Sequence, residues 1–191
     1  MRRLAALLVT LAILLAADSV ARYFAAARLS DGLRTALDLP QDPSVSIGGF
    51  PFLWDLARGD LESMTISTRS VRRGPLALER VKIDLESVRF SPVGALTGDI
   101  RSARVAGGNG TARISVVALE DALRAVGGLV GDIGVEAFAD SASVSGTTLS
   151  LGPVNLELPT LVPGMSYHSA RVVDGGVRLA FRLGRTTLKL S

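Results

Sequence analysis

The stretch Ser44-Val45-Ser46-Ile47-Gly48-Gly49-Phe50-Pro51-Phe52-Leu53 decides how this chain is read. It starts as a short alternating strand, breaks at a glycine pair, and then delivers large apolar side chains around a proline, with Trp54 directly after. Glycine accepts positive φ or the close approach of another backbone, and proline fixes its own φ. The direction in which Phe50, Phe52, Leu53 and Trp54 leave the turn is thereby set. The segment aims an apolar wedge, either into the core of its own domain or at a lipid surface.

Outward from the wedge the chain reads mainly as strands. Val81, Ile83 and Leu85 alternate with Lys82, Asp84 and Glu86, and Val154, Leu156 and Leu158 alternate with Asn155 and Glu157. The tail repeats the pattern with Val177, Leu179, Phe181 and Leu183, and again with Thr186, Leu188 and Leu190. Period-two alternation gives each strand one apolar and one wet face, as in antiparallel sheets. Turn signals stand at Gly74-Pro75, Gly107 to Gly110, Gly146, Gly152-Pro153, Pro163-Gly164 and Asp174-Gly175-Gly176. Between Leu85 and Val88 the apolar parity slips by one, which predicts a bulge near Ser87.

Only two helices are expected after the N-terminal segment. Ala26, Leu29, Leu33, Ala36 and Leu37 recur at helical spacing up to Leu39-Pro40, with Gly32 weakening the helix by about 1 kcal/mol relative to alanine. Val116, Leu119, Leu123 and Val126 share one face of a second helix over residues 117–126, with Ser115 placed to cap it. Seven or so one-sided strands therefore have little helix to cover them. The sheet must fold into a sandwich, wrap around a helix, or leave an apolar groove. The fold class expected is α+β, mostly β: a strongly curved antiparallel sheet wrapped around the Ala26–Leu37 amphipathic helix.

The wedge and its surroundings resemble the LmeA-like phospholipid-binding family of actinobacterial cell-envelope proteins. The resemblance lies in Val45 to Leu53, in Gly59 to Leu61, in the strand Leu78 to Leu85, and more loosely in Val172 to Leu183, and it spans most of the chain after residue 25. It implies a reduced form of the tubular lipid-binding fold, phospholipid binding at the envelope, and a context of polymannosylated inositol lipids.

Composition is compatible with that class. The 191 residues are 48% hydrophobic and 20% charged, enough for one domain with a sizeable core. Net charge is +3, with Arg2 and Arg3 at the extreme N-terminus, so the basic clustering of a nucleic-acid footprint is missing. Absence of cysteine excludes disulfides, thiolate metal sites and a lipidated cysteine anchor. Arg2-Arg3 followed by the uncharged run Leu4–Ala17 has the form of an export signal, short of the roughly 20 residues of a membrane span. Val20, Ala21, Tyr23 and Phe24 extend the run if Asp18 is tolerated near the interface. Residues 1–21 are thus an export signal or a signal anchor, with cleavage after Ser19 or Ala21 favoured, and residues 22–191 form a single lipid-binding-like domain of an exported protein, in the envelope or periplasmic space.

No catalytic constellation is evident. His168, the single histidine, has Ser166, Ser169 and Asp174 near in sequence, but neighbours on a strand point to opposite faces and no Gly-x-Ser-x-Gly elbow exists. One histidine and scattered carboxylates do not make a metal site, Gly107-Gly108-Asn109-Gly110 has no phosphate-loop lysine after it, and no cofactor is implied. Asn109-Gly110-Thr111 matches a glycosylation sequon, and Arg69, Arg72 and Arg73 form a cationic tip that would meet anionic headgroups at roughly 1 kcal/mol each. The reading is a non-enzymatic protein whose partners are phospholipids and the membrane surface, with Leu33, Leu37, Phe50, Phe52, Leu53, Trp54, Val81, Ile83 and Leu85 as lipid-lining candidates. The alternative is a membrane-tethered interaction module that organises envelope enzymes.

Overall fold

A computed structural model describes residues 2–37, 39–73, 76–97, 102–125, 142–152, 154–173 and 175–189. Helix α1 (Arg2–Leu37) is unbroken, so the apolar run and the amphipathic segment form one rod of about 54 Å at 1.5 Å per residue. Alanine and leucine favour this, and no proline intervenes before Pro40. Its two halves differ in surroundings. Residues 2–17 are exposed on every side, whereas from Asp18 onward a stripe at Ala21, Ala25, Leu29 and Leu33 is half-buried. The stripe docks on strand β1 (Ser44–Gly48) and on a short helix, α2 (Phe52–Arg58). Ser30, itself buried, donates its hydroxyl proton to the Pro43 carbonyl and ties the helix to the start of β1.

The main sheet is built on the long strands β2 (Asp60–Arg73) and β3 (Leu76–Phe90); the Gly74-Pro75 turn expected between them lies outside the described residues. After α3 (Pro92–Thr97) come β4 (Ser102–Ser115) and α4 (Val116–Ala125). Then β5 (Ala142–Ser145), β6 (Thr148–Leu151) and β7 (Val154–Glu157) make a small second sheet. Strands β8 (Met165–Val173), β9 (Gly176–Leu183) and β10 (Thr186–Lys189) return to the first. Its order is β1-β2-β3-β4-β9-β8, with β10 also on β4, and every pairing is antiparallel. The architecture is the mostly-β, antiparallel class expected, with the long helix at the N-terminus meeting the sheet at its β1 edge. Leu149, Leu151 and Leu156 of the small sheet join the same core as Val177, Leu179, Phe181 and Leu183 of β9.

Strand β3 carries two left-handed residues, Arg80 at φ 48° and Ser87 at φ 46°. Each moves the buried face along by one, from Leu78 to Val81 and from Leu85 to Val88. The bulge expected near Ser87 is not found as such: Ser87 is left-handed, but the register with both neighbours runs past it unchanged. The register shift is at the other kink, between Glu79 and Lys82 against β4. Two such kinks in 15 residues bend the strand and increase its twist.

Two expectations are corrected. Helices α2 and α3 were not foreseen; at seven and six residues they are too short for periodicity to reveal. Helix α4, in contrast, starts as expected, with Ser115 Oγ accepting the Ala118 N–H at 3.4 Å and Leu119 fully buried; Val126 lies outside the described residues. The other correction concerns Gly107 to Gly110, read as a turn but lying in the middle of β4, with Gly110 paired to Ile83 on one side and Phe181 on the other. A Cβ at Gly110 would lie 2.2 Å from the Phe181 ring, and one at Gly108 would lie 2.5 Å from the Asp84 carbonyl oxygen. These glycines admit a ring and a neighbouring backbone, the positional use glycine has inside a strand. Asn109, of the sequon, is likewise mid-strand, opposite Asp84 and Arg182.

Gly110→Ala is expected to destabilise the fold by about 1–3 kcal/mol, the usual cost of overpacking. In a Phe181→Leu background the cost shrinks, because touching sites do not act additively. Urea titration of the detergent-solubilised chain reads both, and an equal cost in the two backgrounds would exclude the ring contact as its cause.

A second expectation comes from the β2–β3 pair. Thr65 Oγ1 donates to Asp84 Oδ1 at 2.7 Å, and Lys82 Nζ lies 3.0 Å from Oδ2. The Thr65 hydrogen bond, opposed by desolvation and aided by Lys82, holds the Asp84 carboxyl below its ordinary 3.8. A depressed folded value means the contact stabilises above the unfolded value and is lost as pH falls through the folded one. Thr65→Val should lower the unfolding free energy read by urea titration near neutral pH, by no more than about 1 kcal/mol because the pair is half-exposed, and should converge with the parent in acid. A difference that persists at low pH would point to packing instead.

Candidate functional site

The wedge divides. Strand β1 ends at Gly48, where a Cβ would collide with the Ser63 hydroxyl, and Gly49 follows at φ 98° beside the Asp55 carboxylate. The Phe50–Pro51 peptide is cis, and α2 begins at Phe52. From there the backbone turns about 100° per residue, so Phe52 can point inward while Leu53 and Trp54, the next two residues, point outward. Phe52 is 1% exposed and Leu56 packs beside the core, while Phe50 is 66%, Leu53 41% and Trp54 62% exposed. Gly59 closes the helix in the left-handed conformation at φ 66°, with its N–H on the Leu56 carbonyl.

The start of α2 lacks a cap of its own. Pro51 occupies the N-cap position and has no side-chain acceptor, so the first amides of the helix need a partner from elsewhere. Asp18 of α1 supplies it, 35 residues earlier in the chain. Its Oδ1 accepts the Leu53 N–H at 2.8 Å, and the Phe52 N–H is directed at the same carboxylate. Its Oδ2 pairs with Arg22 Nη2 at 3.2 Å, one turn further along α1. The Asp18 side chain is 5% exposed. This carboxylate is the residue of the candidate site that periodicity does not reveal. Its signal is an acid inside an apolar run, with an arginine four residues on, in a chain that also holds a Phe-Pro helix start without a capping side chain.

The remaining lining candidates lie elsewhere. Val81, Ile83 and Leu85 are buried in the sheet, at 2%, 9% and 3% exposed. Leu85 is opposite Met64, which in turn faces Ile47 near the wedge end of β1. Val81 is nearer the Ser44 end, on the wall of an open groove of about 550 Å³ that also displays Arg69, Arg80, Lys82 and Asp42. Arg69 donates there to Gln41 Oε1 at 3.2 Å. Leu33 is half-buried on α1; Leu37 ends that helix, and its side chain is outside what the structure describes. The structure thus gathers Phe50, Leu53 and Trp54 at one exposed place, and puts Phe52, Val81, Ile83 and Leu85 into the core.

His168 sits exposed on β8, where the register with β9 shifts between Tyr167 and Ser169. Tyr167 next to it is buried, donates to the Pro159 carbonyl at 2.7 Å and meets the Phe181 ring edge-on; burial raises its phenol pKa. Among the described residues no three His, Asp or Glu side chains cluster as metal ligands.

Asp18→Ala is expected to leave the Phe52 and Leu53 amides without an acceptor. Loss of a helix cap costs about 1–2 kcal/mol, so hydrogen exchange at α2 should accelerate by roughly ten-fold, with the β3 and β9 amides unaffected. Unchanged exchange at α2 would show that the carboxylate is not its cap.

Helix α1 is long and apolar enough to cross a membrane, which agrees with a signal or anchor segment. No curated protein and no solved structure matches the chain. A family model does match it, over residues 16–190, a span that takes in Asp18, the docked half of α1, the wedge and both sheets. The chain belongs to the LmeA-like phospholipid-binding family.

Proposed function

We propose that this is an exported, non-enzymatic phospholipid-binding protein of the cell envelope, acting at the outer face of the membrane in lipid transfer or in support of lipoglycan synthesis. The observation that carries the reading is the pairing of the family match with three large exposed apolar side chains, Leu53 and Trp54 on α2 and Phe50 just before it. Acyl chains engage this rim first. Phe52, Val81, Ile83 and Leu85 form the apolar wall behind it, with Leu33 and Leu37 on the helix side. Residues 1–21 deliver the chain and residues 22–191 make the single binding domain.

A second reading has support of its own. A membrane-tethered module that docks envelope enzymes through the wedge needs a filled core, and Val81, Ile83 and Leu85 are buried as such a core requires. The two readings part on what the wedge retains. Phospholipid bound to the purified full chain should survive detergent exchange, appear in an organic extract by mass spectrometry, and fall several-fold in a Phe50→Ser, Leu53→Ser variant of unchanged β content. A lipid-free extract, with protein partners captured by the parent and lost from the variant, would replace lipid binding by docking.

A further inference from the structure

We propose that the outer leaflet of the membrane is the surface on which α2 sits, with Asp18 as the clamp that sets its depth, so that α1 remains attached as an anchor. The inference deepens the lipid-binding reading and rests on it. It begins from where α1 stops being bare. Residues 2–17 are all exposed, and the first buried side chain of the rod is Asp18. An apolar helix exposed all round needs lipid about it, and here the bare part ends where α2 is attached.

The rise of the helix converts this into a depth. From Leu4 to Phe24 it covers about 30 Å, one hydrocarbon thickness. With Arg2 and Arg3 held at the cytoplasmic face, Tyr23 and Phe24 reach the opposite interface, where aromatic side chains gather. Asp18 then lies about 9 Å below Phe24, and the α2 amides that it binds lie at its level. A helix seated roughly 5–10 Å into the headgroup and acyl boundary is the usual arrangement for an interfacial apolar face. Leu53 and Trp54 of α2, with Phe50 just before it, are the exposed apolar side chains offered there, and Val93 is exposed on α3, which contacts α2.

A carboxylate at that depth would be costly alone. Asp18 is instead closed off by α2, with two amides and the Arg22 guanidinium as partners, which is the form intramembrane charges take when tolerated. The same contact argues against cleavage. Removal of the chain up to Ser19 or Ala21 would delete Asp18 and strip α2 of its cap.

Trp54 is the only tryptophan in the chain, so its fluorescence reports the wedge alone. Full-length protein is reconstituted into phosphatidylcholine vesicles carrying lipids brominated either near the headgroup end of the acyl chain or near its terminal methyl. The expected result is blue-shifted Trp54 emission, quenched more by the shallow label than by the deep one. In Asp18→Ala the emission should shift back to the red and the quenching fall, while the protein still floats with the vesicles. Asp18→Asn, which keeps an acceptor oxygen, should retain most of it. Intact mass of the protein recovered from membranes should include residues 1–21. Solvent-like, unquenched Trp54 in the floating parent chain, or a recovered chain beginning after Ser19 or Ala21, overturns the proposal. Lipid retained through detergent exchange together with an unquenched Trp54 would overturn the depth assignment alone; a quenched Trp54 with a lipid-free extract would support the depth and overturn lipid binding.

Discussion

One carboxylate joins the two parts of this molecule that sequence alone keeps apart. Asp18 belongs to the apolar rod, whereas the amides that it accepts from belong to the wedge that closes β1. Proline at the N-cap of α2 makes the contact necessary, because it contributes no acceptor of its own. The negative charge also faces the positive end of the α2 dipole, and Arg22 offsets its burial. Removing either side leaves a buried group unpaired, which costs more than the contact itself contributes. Ser30, bonded to Pro43 three turns further along α1, fixes the other end of β1 to the same helix. Between these two ties the edge strand of the sheet is hung from the rod.

The sheet solves its covering problem by bending. Among the described residues, ten strands would leave a large apolar area bare under four helices, three of them short. Arg80 and Ser87 kink β3, and Gly108 and Gly110 let β4 come close to the Asp84 backbone and the Phe181 ring. The curved inner face is then met by Leu119 of α4 and by Leu149, Leu151 and Leu156 of the small sheet. Of the three outcomes that strand counting allows, a sandwich, a wrap around a helix or an open groove, the packing of the small sheet on the same core as β9 corresponds to the first.

Legibility follows the range of the interaction. Val81, Ile83 and Leu85, and Val177 to Leu183, announce their inward faces because burial on a strand depends on local parity, and they are buried. Ser115 announces its cap for the same reason, since the amide it serves is three residues on. Gly107 to Gly110 mislead because glycine marks a turn or a close approach, and the choice depends on Phe181, some 70 residues away. Arg80 shows the same one-residue slip as Ser87, in the step from Leu78 to Val81, yet arginine is not a residue expected at positive φ. In the site, four adjacent apolar residues suggest a single wedge. The α2 helix rotates Phe52 inward and leaves its neighbours outside, and Asp18 shows locally only an acid in an apolar run with Arg22 four residues on, which does not name a partner 35 residues distant.

The distribution of exposed apolar side chains carries the orientation of the domain. Scattered single exposures are normal on a soluble surface and require no account. Among the described residues, the large exposed ones outside α1 are Phe50, Leu53, Trp54, Val93 and Val117. Four of these five are on α2, on α3 that contacts it, or two residues before its start, and the long faces of β2, β3, β4 and β9 expose none. A module meeting water on all sides would have no reason to gather them where the rod becomes bare. A domain resting on lipid does, since the rod that enters the bilayer and the helix clamped to it meet the same solvent. The polarity of the groove at the Ser44 end of β1, away from the wedge, fits that orientation: the apolar end faces the leaflet, and Arg69, Arg80 and Lys82 stay toward water.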